Sequence, residues 1–255
     1  MTADLLLMLG LAAFLAGMVD AVVGGGGLIQ VPALFSALPQ AMPATLFGTN
    51  KIASLSGTAF AARTYWRRMP VDLSIVVPAV LSAWAFAFVG AWTLTHFPPE
   101  MFRKLLPLVL LLVAVYVFRR RDFGSVHAPT LAAGRRRLAA LVVGAVMGFY
   151  DGFFGPGTGS FLVFLFVRSF GQDFLRASAS AKIVNVACNL GALAWLVPVH
   201  PPLWQLAVVM GICNIAGAVV GARLAIRKGT GFVRQVFLGV VAALILKTAW
   251  DAQYF

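Results

Sequence analysis

The sequence predicts an all-α polytopic membrane protein: two inverted repeats of transmembrane helices, each with a glycine-broken helix near the midplane. Three observations predict it: an apolar, weakly charged composition, an internal repeat, and the placement of basic residues between apolar runs. Of 255 residues, 61% are hydrophobic and 11% charged, and the mean hydropathy is +0.92. A soluble domain carries about 25% charged residues, so this chain is too greasy for water. Disordered, coiled-coil and disulfide-scaffold classes are excluded by the same composition. Cys188 and Cys213 lie inside apolar runs and read as small buried hydrophobes.

Apolar runs fall near 5–23, 28–38, 44–62, 71–95, 101–118, 138–154, 158–167, 175–197, 203–226 and 231–250. Crossing a ~30 Å hydrocarbon layer takes ~20 helical residues, and six of the runs are that long or nearly so. The pairs 5–23/28–38 and 138–154/158–167 differ. Gly24-Gly25-Gly26-Gly27 interrupts the first pair, and Gly155-Pro156-Gly157-Thr158-Gly159 the second. As one helix, 5–38 would measure about 50 Å, so it must break, tilt hard or turn back. The N-terminus, Met1 to Asp4, lacks the positive region of a signal peptide, and the first run is expected to stay in the mature chain.

The chain also repeats itself. The gapless shift that lays Gly17 on Gly148 also aligns Asp20 with Asp151, Gly24 with Gly155 and Lys51 with Lys182. Apolar matches between membrane segments are cheap, but an Asp and a Lys at the same separation in both halves are not. The expected organisation is a first membrane repeat (1–118), a basic cytoplasmic linker (119–137) and a second repeat (138–255).

Cytoplasmic loops hold an excess of Lys and Arg, and this decides the relative orientation of the halves. If 5–38 crosses once, the basic residues split nine against eight, which is no bias. If each glycine-broken region turns back, the gaps 63–70, 119–137, 168–176 and 223–234 share one face with fifteen basic residues. The other face then has only Arg103, Lys104 and Lys247. The halves are expected to be inverted, with both termini non-cytoplasmic. The net charge of +12 is thereby a property of loops, and nucleic-acid binding is excluded.

Paired broken helices mark the sites of secondary transporters. Backbone exposed at that depth must face protein or a wet cavity, and a helix starting after the break aims its positive end there. Gly25, Gly26, Gly27, Gly157 and Thr158 are therefore candidate anion contacts, whereas Gly17, Gly90 and Gly221 read as helix-packing positions. Lys51 and Lys182 cost about 2.5–3.5 kcal/mol each at the bilayer centre, so each needs a partner or a task. Lys51, Ser54 and Thr58 share one helical face, as do Lys182, Asn185 and Asn189. Thr49 and Asn50 beside the first lysine, and Ser178 and Ser180 before the second, add polar groups. Asp20 and Asp151 are the acidic partners, each able to neutralise its own half's lysine or to couple a proton. His96, His127 and His200 fall in loops and read as solvated residues.

These residues carry a family resemblance. Gly17 through Pro32, with its glycine-rich break, and the segment Gly48-Thr49-Asn50-Lys51 resemble the sulfite exporter TauE/SafE family of membrane permeases, over about residues 8–250. The second copy departs from the pattern: Pro156 and Thr158 interrupt its glycines, and Val163 stands at the Pro32 position. The resemblance implies export of sulfite, sulfoacetate or related anions across the plasma membrane by a multi-pass secondary carrier. The sequence agrees in lacking a GxxxxGK[ST] phosphate loop.

The expected function is an alternating-access anion transporter, with small anions and membrane lipid as partners and a homodimer compatible with the reading. The alternatives are an anion channel, or a proton- or cation-coupled carrier using Asp20 and Asp151. No enzyme is expected, since HExxH and GxSxG are missing. No cofactor and no metal are expected either.

Overall fold

The computed structural model describes residues 3–102, 104, 105, 108, 109 and 133–253. Most of the fifth apolar run, the linker residues 119–132 and His127 lie outside the described residues. What is described is mainly helical: α1 (Ala3–Val23), α2 (Gly27–Ala37), α3 (Pro43–Trp66), α4 (Leu73–His96), α5 (Ala133–Phe153), α6 (Thr158–Phe170), α7 (Phe174–Val199) and α8 (Trp204–Gln253). The last is broken at Gly229, whose φ is 77°.

The helix ends follow local chemistry. Pro43 opens α3 at a position where its missing N–H is no loss. Asp72 caps α4 by accepting from the Ser74 amide, and Asp173 caps α7 by accepting from the amides of Leu175 and Arg176. Among the described residues, four helices are long and apolar enough to cross a membrane: Ala3–Val23, Leu73–His96, Phe174–Val199 and Trp204–Gly229. α3 has 24 residues, but Thr49, Asn50, Lys51 and Ser54 lie along it. The chain is a multi-pass membrane protein.

The glycine-broken regions are hairpins. Leu34 of α2 packs with Leu9 and Ala13 of α1 in one apolar cluster, although the break lies between them in sequence. Gly26 abuts the Ala16 carbonyl, so α2 descends along α1 towards its start. In the second half, Phe170 at the end of α6 shares a pocket with Arg136 near the start of α5. That pocket also contains Pro70, Val71, Asp72, Gln172 and Arg176. Three basic gaps of the sequence thus meet at one end of the bundle. Met42, Pro43, Phe97, Pro99 and His200, from the sparsely charged gaps, meet in another pocket.

The most extensive helix contacts join the halves: α4 lies on α5, and α1 on α8. Both pairs run parallel. Gly144, Gly148 and Gly152 of α5 meet Ala79, Ala83 and Ala87 of α4 in ascending order, and Phe14 and Met18 of α1 meet Gly217 and Gly221 of α8. Gly17, Gly90 and Gly221 all serve such close contacts, as expected of packing glycines. Cys188 is buried, Cys213 is half-buried, and both are free thiols.

A buried polar contact adds to these. Asn214 of α8 donates to the Ala13 carbonyl (3.1 Å) and to Gln30 Oε1 (3.0 Å), tying both arms of the first hairpin to α8. It fits because Gly57 and Gly17 have no side chain where Asn214 lies. Gly57→Ala sets a methyl group against Asn214 Oδ1. A loss of about 1–3 kcal/mol is expected, read as a lower melting temperature in detergent. Asn214→Ala in the same background should recover part of it.

Candidate functional site

The two glycine breaks meet in the buried interior. Gly24 takes φ 84°, and Gly155 and Gly157 take 83° and 84°. This left-handed backbone lets the chain reverse, and no side chain holds the tips apart. The Ser160 amide donates to the Gly24 carbonyl at 3.1 Å, and Ser160 Oγ donates to the Val23 carbonyl at 3.1 Å. Tyr150 steadies the second tip by donating to the Pro156 carbonyl at 2.6 Å, and Tyr65 binds the Ala21 carbonyl beside the first at 2.9 Å.

Beside these tips, α3 and α7 cross in opposite directions. Gly48 faces Leu196, whereas ten residues later Thr58 meets Lys182 at Asp20. The ion pairs therefore cross between halves. Lys51 Nζ donates to Asp151 Oδ2 at 2.5 Å, and Lys182 Nζ to Asp20 Oδ2 at 2.9 Å. Thr58 adds a hydrogen bond to Asp20 Oδ2 at 3.0 Å. The sequence spacing suggested pairing within each half. The hairpin geometry reverses it, because each tip passes its aspartate to the other half's α3 or α7. Both lysines are buried within the protein: Lys51 is 2% exposed and Lys182 1%.

A cavity of about 20 Å³ lies at this junction. Its wall includes Asn50, Lys51, Ser54, Asn185, Asn189, Gly27, Gly157, Thr158, Asp20 and Asp151, all expected from the sequence. Asn50 Oδ1 is buried there without a hydrogen-bond partner. Asn189 donates to Asn185, both to its carbonyl and to its side-chain oxygen.

Six expected residues are placed elsewhere. Lys182 is one carboxylate removed from the cavity, behind Asp20. Thr49 donates to the Thr45 carbonyl and accepts from the Leu203 amide, clamping α3 to the start of α8. Gly25 faces Ser160 Oγ, and Gly26 packs on Ala16. Ser178 and Ser180 bond Phe174 and Gln172. The sequence reading named Gly24, Gly155 and Gly159 only as parts of the breaks and not among the anion contacts, and they line the cavity. It passed over Tyr150, whose place next to Asp151 was the available signal. Among the described residues, no three His, Cys, Asp or Glu side chains group closely enough to hold a metal.

The family model described as "Sulfite exporter TauE/SafE" matches residues 9–248. "Probable membrane transporter protein ORF9" of Sinorhizobium sp. is 36% identical over 248 residues, covering 97% of this chain and 93% of its own. "Probable membrane transporter protein YfcA" of Escherichia coli K12 is 32% identical, covering 94% and 88%. A "Probable membrane transporter protein" of Haemophilus influenzae is 31% identical, covering 99% and 97%. No solved structure matches the chain. With the match running through both hairpins, both lysines and both aspartates, the chain belongs to the sulfite exporter TauE/SafE family of membrane transporters.

Proposed function

We propose that the chain is a secondary carrier of small oxyanions, such as sulfite or an organosulfonate, working by alternating access in the plasma membrane. The observation that carries the reading is Lys51, buried on a cavity wall where two unwound backbones meet. An ammonium group, amide side chains and freed backbone N–H groups suit an anion with several acceptor oxygens. Asn50, Ser54, Asn185, Asn189, Gly27, Gly157 and Thr158 orient it. Lys182 contributes through Asp20 and enters the site as that pair opens.

Inversion of the halves is supported by the opposed courses of α3 and α7 and by the basic loops gathered at one end. In this reading that end is cytoplasmic, and both termini face away from it. A cavity of about 20 Å³ admits about one water. Anion loading must therefore part the walls, which is what alternation between two faces supplies. Acting as a carrier and not an enzyme, the protein needs no group beyond these.

Flux in liposomes tests the reading. Lys51→Ala and Lys182→Ala are each expected to lower sulfite or sulfoacetate flux about 10- to 100-fold, the worth of one charge-assisted contact. The apolar pair variants Lys51→Leu/Asp151→Leu and Lys182→Leu/Asp20→Leu, checked for insertion, should lose it as well. Full flux in both pair variants removes the lysines from the mechanism. Counterflow of labelled anion separates this carrier from a channel, which shows none.

A further inference from the structure

We infer that the carried anion travels with protons, one taken up by Asp151 or Asp20 for each crossed ion pair that the anion opens. The inference rests on the carrier reading above and identifies its coupling ion.

Charge and space lead to it. Lys51, Lys182, Asp20 and Asp151 are 2%, 1%, 7% and 3% exposed, so among the described residues the interior holds two positive and two negative groups that cancel. The cavity is about the size of one water. In this inference the anion takes the place of Asp151 Oδ2, now 2.5 Å from the Lys51 ammonium. The displaced carboxylate is then a lone charge in a dry interior, which is far costlier than its neutral acid.

Among the described residues no second cation is paired with it. Around Asp151 stand Lys51 from α3, the Cys188 thiol from α7, and Tyr150 on its own helix, whose hydroxyl is committed to Pro156. Around Asp20 stand Lys182 from α7, with Thr58 and Tyr65 from α3. α2 has no titratable residue, and Arg168, Cys213, Arg223, Arg227 and Lys228 of α6 and α8 are not on the cavity wall. Neutrality is restored from water. A proton from the aqueous phase forms an O–H bond on the freed carboxylate while the anion's oxygen replaces it at the ammonium. Nothing is oxidised or reduced, and release on the far side reverses both events. Asn50 Oδ1, on the same wall without a donor, is an acceptor for the new O–H.

Empty and loaded forms then have the same net charge, so both cross the low-dielectric interior on equal terms. A monoanion opens one pair and brings one proton; a dianion opens both and brings two.

The test measures protons directly. Purified full-length protein in weakly buffered detergent is mixed with methanesulfonate or sulfoacetate, and pH and binding are followed together. Uptake of about one proton per methanesulfonate and about two per sulfoacetate is expected. In liposomes, sulfoacetate uptake should follow an imposed acid gradient and ignore a potassium-valinomycin potential. Asp151→Asn should lower the proton count for sulfoacetate by about one. If that variant does not fold, the wild-type count alone decides. Anion binding without proton uptake, or transport that generates current, overturns the inference and leaves the carrier reading standing. Failure of sulfite, methanesulfonate and sulfoacetate alike to raise the apparent melting temperature brings down the carrier reading, and this inference with it.

Discussion

Asp151→Ala is expected to destabilise the protein by about 3–5 kcal/mol, because it leaves Lys51 charged, buried and without its carboxylate. Asp20→Ala should act alike through Lys182, although Asp20's extra bond from Thr58 adds a second orphaned donor. Replacing both members with apolar residues of similar volume, as in Lys51→Leu/Asp151→Leu, should recover most of the loss. Equilibrium unfolding in mixed micelles reads all four corners of each cycle. The crossed arrangement makes a sharper demand. The coupling energy should be larger for Lys51 with Asp151 than for Lys51 with Asp20, by at least about 1 kcal/mol. The reverse order would return the pairing to within each half and contradict the tip-to-tip meeting of the breaks.

That partner exchange was not legible in the sequence, and the reason is geometric. The repeat relates equivalent positions, Asp20 to Asp151 and Lys51 to Lys182, but says nothing about which copy faces which. The short separation of Asp20 and Lys51 along the chain made the same-half pair look natural, whereas the contact that forms joins the far more distant Lys51 and Asp151. The fold class was legible, because composition and run length respond to the solvent and need no long-range information. So were the breaks that turn back, through their glycines: Pro70, Arg136 and Arg176, from three basic gaps, gather at one end. Thr49 shows a different limit. It lies two residues before Lys51, and on a helix such neighbours point to nearly opposite sides. Its hydroxyl therefore meets Leu203 instead of the cavity. Asn214 gave no signal, since its meaning depends on Gly17 and Gly57 opening a slot from two other helices.

Gly24→Ala is expected to be the most damaging single methyl group in the molecule, and the contrast with its neighbours shows why. Its φ of 84° is left-handed, which costs a residue with a side chain about 1–2 kcal/mol. Its added Cβ also falls within the Gly159–Ser160 peptide, which is backbone and cannot swing aside. Overpacking of this kind costs about 1–3 kcal/mol more, or separates the tips. Gly159→Ala meets the Gly24 backbone from the other side without the left-handed strain, so it isolates the steric part. Gly25→Ala is the control: its Cβ would come no closer than 3.5 Å to any neighbour, so a change within about 0.5 kcal/mol is expected. Melting temperatures in detergent should therefore fall in the order Gly25→Ala, Gly159→Ala, Gly24→Ala. Anion flux should survive in the first and fail in the other two, because separated tips no longer present their backbone to Lys51 and Asp151. Equal tolerance at all three positions would mean that the breaks do not touch, and the cavity between them would lose its wall.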